Sequence, residues 1–208
     1  MALTQRVIDW QNRGRSVDFR GHQIHVFEQE GEGVPLVMLH GFPSSSYDWQ
    51  PLIERLEGRR ILAFDFLGFG LSDKPRNHVY SLAWQADLAE ELVRSTFPKE
   101  PVSLLAHDMG TSVATELFAR DLERKLGFDI DGALLFNGSI VLEKASLTRS
   151  QKVLRSRFGG LAAKFSSERI FKREFGAIFS PEHPLSPDEA ADQWSLIGYN
   201  DGRALGHR

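Results

Sequence analysis

Val102-Ser103-Leu104-Leu105-Ala106-His107-Asp108-Met109-Gly110 decides how this chain is read. Val102 to Ala106 is a continuous apolar run broken only by Ser103, the pattern of a strand buried on both faces. Thr111 to Lys125 then carries helical spacing. Between strand and helix stands the form small–x–Asp–x–small, with Ala106 and Gly110 flanking Asp108. A nucleophile elbow requires this: the strand-to-helix turn is so tight that residues two positions either side must be small. Such a turn lifts the central side chain clear of the sheet at a helix N-terminus, where backbone N–H groups point at it. A lone Asp before a helix can also be a plain N-cap. Here strand, small neighbours and helix together favour the elbow, with Asp108 as nucleophile.

Working outward, short strands alternate with helices. Val17 to Phe19 and Gln23 to Phe27 around Arg20-Gly21-His22 predict a hairpin. Pro35 to Leu39, Arg60 to Phe64 and Gly132 to Phe136 predict further buried strands. Tyr47 to Leu56 and Leu82 to Phe97 predict helices, the second with Leu82, Ala86, Ala89, Leu92 and Val93 on one stripe. This alternation implies an α/β fold with a mostly parallel sheet and helices on both faces. After about residue 141 the buried-strand signature stops. Residues 142–175 hold nine Lys/Arg against three Glu, interleaved with phenylalanines, and Ser186-Pro187-Asp188-Glu189 is a helix start. The expected organisation is therefore 1–141 as the N-terminal part of a core and 142–208 as part of a helical cap.

With 41% apolar residues, the 208-residue chain can bury a core. A net charge of −3 gives no field that would recruit nucleic acid or an anionic membrane. No cysteine is present, which excludes disulfides, thiolate nucleophiles and cysteine-bound metals. The N-terminus is not a signal peptide, and no apolar run approaches the ~18 residues of a membrane span. The expected location is cytoplasmic.

Asp108 narrows the chemistry. Carboxylate attack on an acyl carbon gives a reactive anhydride, whereas attack on a saturated carbon gives a stable alkyl ester that activated water can hydrolyse. Substitution at an sp³ carbon is thus favoured over ordinary esterase work. His40-Gly41-Phe42-Pro43 ends the Pro35 to Leu39 strand, and the backbone N–H groups of Phe42 and Met109 are the expected oxyanion-hole donors. His40 itself precedes the loop turn, where hydrogen bonding that stabilises the turn is favoured over a role as base. His107 is expected to pack behind the elbow. His40, Asp65, His107 and Asp108 match no metal-ligand spacing, so no metal and no cofactor is expected.

His40-Gly41-Phe42-Pro43, Asp65 through Pro75 (Asp-Phe-Leu-Gly-Phe-Gly-Leu-Ser-Asp-Lys-Pro) and Ala106-His107-Asp108-Met109-Gly110 together resemble the epoxide hydrolase and haloalkane dehalogenase branch of the α/β-hydrolases. His40 through Trp49, Phe136-Asn137-Gly138 and Asn200-Asp201-Gly202 narrow the likeness to the mesoderm-specific transcript family and its bacterial relatives. The resemblance implies a cofactor-independent hydrolase, most like an epoxide hydrolase, forming an alkyl-enzyme ester on Asp108. It implies a small lipophilic substrate between core and cap, with His40, Trp194 and Tyr199 as candidate binding residues.

Several positions depart from the branch. Met109 stands where dehalogenases carry a halide-binding tryptophan, and Phe42 where some carry asparagine. Tyr199 is the one tyrosine in the expected cap, where epoxide hydrolases use tyrosines as acids. Asn137 occupies a place where some relatives carry the triad acid. Alternatives are therefore a dehalogenase, an ester hydrolase, or a non-catalytic scaffold binding a lipophilic ligand or partner. The family order is nucleophile, acid, histidine, and His183 and His207 match no catalytic-histidine motif. The chain is accordingly expected to be a fragment or truncated frame that stops before its acid and base.

The basic, phenylalanine-bearing stretch 142–175 could bind an anionic surface, or could face its phenylalanines inward and its charges to water. The second reading is favoured. The chain is expected to stay in the supernatant when anionic liposomes are sedimented at low salt; co-sedimentation reversed by salt would support the first reading.

Overall fold

The structure is a computed structural model that describes residues 2–138 and 167–205. The expected boundary near 142 and the greater part of the basic stretch lie outside the described residues, as does His207. Strands β1 (Arg15–Phe19) and β2 (His22–Gln29) form the hairpin, paired from Arg15 with Val26 to Phe19 with His22. Arg20 and Gly21 close it with φ of 54° and 81°. Positive φ at both central residues twists the turn with the strands.

β3 (Glu32–Leu39), β4 (Arg59–Phe64), β5 (Val102–His107) and β6 (Ile130–Phe136) complete a six-stranded sheet of order β1-β2-β4-β3-β5-β6. β2 runs antiparallel to β4, and the four strands from β4 to β6 are parallel. Because β3 sits between β4 and β5, the chain segments leaving those three strands meet at one end of the sheet. His40, Asp65 and Asp108 follow them directly. An open parallel sheet collects functional groups at this end.

Alternation along the strands sorts the core into two layers. Val37, Leu39, Leu62, Phe64, Leu104 and Ala106 face one layer, under helices α3 (Leu82–Thr96) and α4 (Met109–Leu122). Met38, Ile61, Ala63 and Leu105 face the other. That second layer is covered by α1 (Gln5–Arg13), whose Trp10 stacks on Phe27 at 4.7 Å, and by Leu196 of α6 (Pro187–Gly198). Thr4 caps the start of α1 and Gly14 ends it, signals that the pattern of the sequence did not single out. Between β3 and β4 the single predicted helix is instead a 3₁₀ turn, Ser46–Trp49, followed by the short α2 (Gln50–Ile53). Pro51 supplies no N–H, so the hydrogen-bonding pattern restarts there.

α5 (Glu168–Gly176) and α6 come from the expected cap. Ser186 caps α6 as predicted, its side chain accepting from the Glu189 N–H. α6 is tied to the core by Asp192, which is 2% exposed. Its carboxylate accepts from the Tyr47 hydroxyl (2.9 Å), the Thr4 hydroxyl and Arg6 Nε (2.7 Å). The next residue, Gln193, donates to Asp48 at 2.7 Å. Neighbouring residues of one element thus grip neighbouring residues of the other. No helix among the described residues is long and apolar enough to cross a membrane.

Asp192→Ala leaves the Tyr47 hydroxyl buried without its acceptor. The expected loss is roughly 2–3 kcal/mol, the cost of orphaning such a group plus a half-exposed ion pair worth little. Urea denaturation measures it.

Candidate active site

The site begins with backbone strain. Asp108 has φ 50° and ψ −121°, outside the regions open to residues with a side chain. Such a residue costs on the order of 1–3 kcal/mol and persists only where its surroundings enforce it. Here the Asp108 carbonyl accepts from the Thr111 N–H (3.1 Å) and the Thr111 hydroxyl (2.7 Å), and its N–H donates to Phe136 O at 3.3 Å. Gly110 lets α4 press against the end of β3: a Cβ there would overlap the Leu39 carbonyl oxygen. Gly41 does the same opposite, where a Cβ would lie 2.7 Å from the Asp108 Cβ and 2.8 Å from His107 Cε1.

The two backbone donors expected from the sequence converge. Phe42 N–H donates to Asp108 Oδ1 at 2.8 Å, and Met109 N–H donates to the same oxygen at 2.6 Å. The Phe42–Pro43 peptide bond is cis. Oδ1 is thus held by two amides at the start of a helix, and Oδ2 takes neither of these bonds.

His40 does not contact a ligand space, contrary to the expectation that it helps bind substrate. It is fully buried, and both ring nitrogens are used. Nδ1 donates to Gly41 O at 2.8 Å and Nε2 accepts from the Phe66 N–H at 3.0 Å. Burial pushes its pKa down, so the neutral ring is a strut joining the loops after β3 and β4. Asp65, fully buried, does similar work: Oδ1 accepts from the Ser46 N–H and hydroxyl (2.7 and 2.6 Å), and Oδ2 from the Leu71 N–H (2.6 Å). Gln85 of α3 clasps both backbone groups of Leu67. His107 stacks on Phe136 with ring centres 5.6 Å apart, and its Nε2 lies 3.7 Å from Asp48 Oδ2.

Beside the elbow lies a cavity of about 250 Å³. Phe42, Pro43, Phe69 and Met109 form its floor, Tyr80 and Leu82 one wall, Ile197 and Gly202 another. Its lining is mainly apolar, and Lys74 is the charged side chain among the described residues that line it. Trp194 and Tyr199 were expected at the substrate but stand behind the wall. Trp194 is 5% exposed and packs on Phe171, with ring centres 5.4 Å apart. Tyr199 is part-buried, its ring 5.3 Å from Lys74 Nζ. Trp194 is turned toward Phe171 of α5, Tyr199, just past the end of α6, packs against the second core layer, and Ile197 is left to line the cavity. Sequence reasoning missed Lys74, although the motif containing it was quoted; so did it miss Tyr80, which no pattern marked. Among the described residues, no group of three or more His, Asp or Glu is arranged to hold a metal ion.

A family model described as alpha/beta hydrolase fold matches residues 34–172. The protein LipZ of Mycobacterium tuberculosis is 50% identical over 201 residues, covering 97% of this chain and 69% of its own. The mesoderm-specific transcript protein of Mus musculus is 36% identical over 216 residues, covering 98% of this chain and 63% of its own. The crystal structure of the haloalkane dehalogenase DatA from Agrobacterium tumefaciens C58 superposes with a TM-score of 0.75 at 26% identity, over 93% of this chain and 65% of that one. This chain therefore spans about two thirds of each of these proteins.

Gly110→Ala sets a side chain against backbone, which cannot move aside as a flexible side chain would. The expected outcome is a loss of at least about 3 kcal/mol, of the size seen for core overpacking or more. Thermal melting followed by circular dichroism tests it.

Proposed function

Because this chain belongs to the α/β-hydrolase fold family, we propose that it acts at saturated carbon, with Asp108 as the nucleophile and an epoxide as the preferred electrophile. The observation that carries the reading is the pair of N–H bonds from Phe42 and Met109 to a single oxygen, Oδ1. They orient the carboxylate so that Oδ2 attacks an epoxide carbon. One C–O bond forms and the ring C–O bond breaks. The released alkoxide takes a proton from solvent water, which leaves hydroxide, and a hydroxyalkyl ester remains on Asp108. The same two N–H groups then suit the tetrahedral oxyanion formed when water adds to that ester.

An alkyl halide is the second electrophile of interest, since DatA is a haloalkane dehalogenase. Met109 weighs against it, because a thioether offers no N–H to a departing halide. A purely binding role is disfavoured by the strained φ of Asp108, which an inert scaffold has no reason to keep.

Ester hydrolysis needs a base. Both nitrogens of His40 are engaged, and His107 is stacked on Phe136 with its Nε2 toward Asp48. Neither is poised to activate water at Asp108. We infer that the acid and base come from outside the described residues; where they are not supplied, the ester accumulates on Asp108. The cap helices are proposed to close the cavity over a small lipophilic substrate.

Incubation with 1,2-epoxyhexane, and separately with 1-bromohexane, followed by intact-mass and peptide mapping, tests this. One adduct on the peptide holding Asp108 is expected, faster with the epoxide and lost in Asp108→Asn. Labelling that survives Asp108→Asn overturns the nucleophile. Steady multiple turnover would overturn the trapped-ester part alone.

A further inference from the structure

The cavity beside Asp108 holds a feature that the nucleophile reading leaves unused. Lys74 follows the glycine turn after β4, and its ammonium donates to the carbonyls of Gly70 and Ser72, the second at 3.4 Å. An ammonium has three N–H donors, so these carbonyls leave one for a ligand oxygen. Its methylene stem is held from the other side by the cap. A Cβ on Gly202 would come within 2.6 Å of Lys74 Cδ and 2.7 Å of Cε, so the glycine lets backbone lie directly on the stem. The Tyr199 ring, 5.3 Å from Nζ, adds a cation–π contact and stops the side chain swinging away from the cavity.

Among the described residues, the surrounding acids form no direct ion pair with this cation, although the charges of Asp65 and Asp73 act on it at a distance. Both Asp65 oxygens are already taken by Ser46 and Leu71, and Asp73 Oδ2 accepts from the Gln23 N–H at 2.7 Å. Arg76, further along the loop, is paired with Asp201 at 2.9 Å. Among the described lining residues the remaining side chains are uncharged.

Building on the Asp108 reading, we propose that Lys74 sets the substrate class: an amphipathic molecule whose apolar chain fills the cavity and whose carboxylate, or an equivalent anionic end, meets the Lys74 ammonium. An apolar cavity with one cation favours such a ligand over its neutral analogue, because a charge-assisted bond formed away from water is stronger than a neutral one. Burial lowers the Lys74 pKa to about 8, against the pull of Asp65 and Asp73. The ammonium is therefore charged below about pH 8 and neutralises above it. Anion preference should follow the same course, shifted upward by the bound carboxylate itself.

Calorimetric titration of the 208-residue chain with octanoate and with methyl octanoate tests the inference. Octanoate should bind at least about tenfold more tightly at pH 7, with the preference falling away between pH 8 and 10. Lys74→Met should abolish the preference and Lys74→Arg retain it. Equal affinities in the parent, a preference indifferent to pH, or a preference that survives Lys74→Met overturns the proposal. If Lys74→Met fails to fold, the parent's pH series and Lys74→Arg decide alone. Octanoate has no electrophilic sp³ carbon, so this result stands apart from Asp108 alkylation, and either reading can fail without the other.

Discussion

Two backbone N–H groups meeting at one oxygen of Asp108 are the constraint around which this end of the molecule is arranged. One comes from the loop after β3, the other from the first turn of α4. For both to arrive, three strand ends must lie side by side, which the order β4-β3-β5 provides. The loops must also be held at fixed height. His40 and Asp65, fully buried and fully hydrogen-bonded, do that by stitching the β3 loop to the β4 loop. Neither lines the cavity, yet both follow directly on strand ends, where functional groups of such a sheet collect.

The strain at Asp108 is offset locally and by packing. The Thr111 hydroxyl and N–H fix the carbonyl that the unusual ψ turns aside. Glycines at 41 and 110 remove the side chains that would otherwise force the strand ends apart. Beneath, Val37, Leu39, Leu104 and Ala106 form a close-packed floor that cannot yield by small amounts. A rigid floor is what allows a carboxylate to be held in one orientation before any ligand arrives.

Much of this was legible in the residues. Apolar runs bounded by glycine or proline found the strands, and Ala106-x-Asp108-x-Gly110 located the elbow, because hard steric limits act over five residues. The Phe42 and Met109 amides followed from the same limits. What stayed hidden depended on distant packing. α1 has Thr4 and Gly14 at its ends, but what holds it is Trp10 on Phe27, a contact no local pattern contains. Trp194 and Tyr199 were candidate binding residues, but which side of α6 faces the cavity depends on how Tyr47 and Asp48 grip Asp192 and Gln193. The role of Lys74 needed Gly202, more than a hundred residues away, to come into view.

The floor of the cavity includes Phe42 and Met109, but its walls are parts that the elbow does not use. Leu82 opens α3, and Ile197 stands near the end of α6; neither takes a hydrogen bond to Asp108, Phe42 or Met109. On the proposed reading, the reacting groups and the shape of the wall are thereby carried by separable residues. A lineage, or a laboratory library, can reshape the wall through positions 82 and 197 and try new ligands while the strained turn stays untouched. Gly202 is the exception on that wall, because its backbone lies directly on the Lys74 stem, and variation there would displace the cation together with the roof.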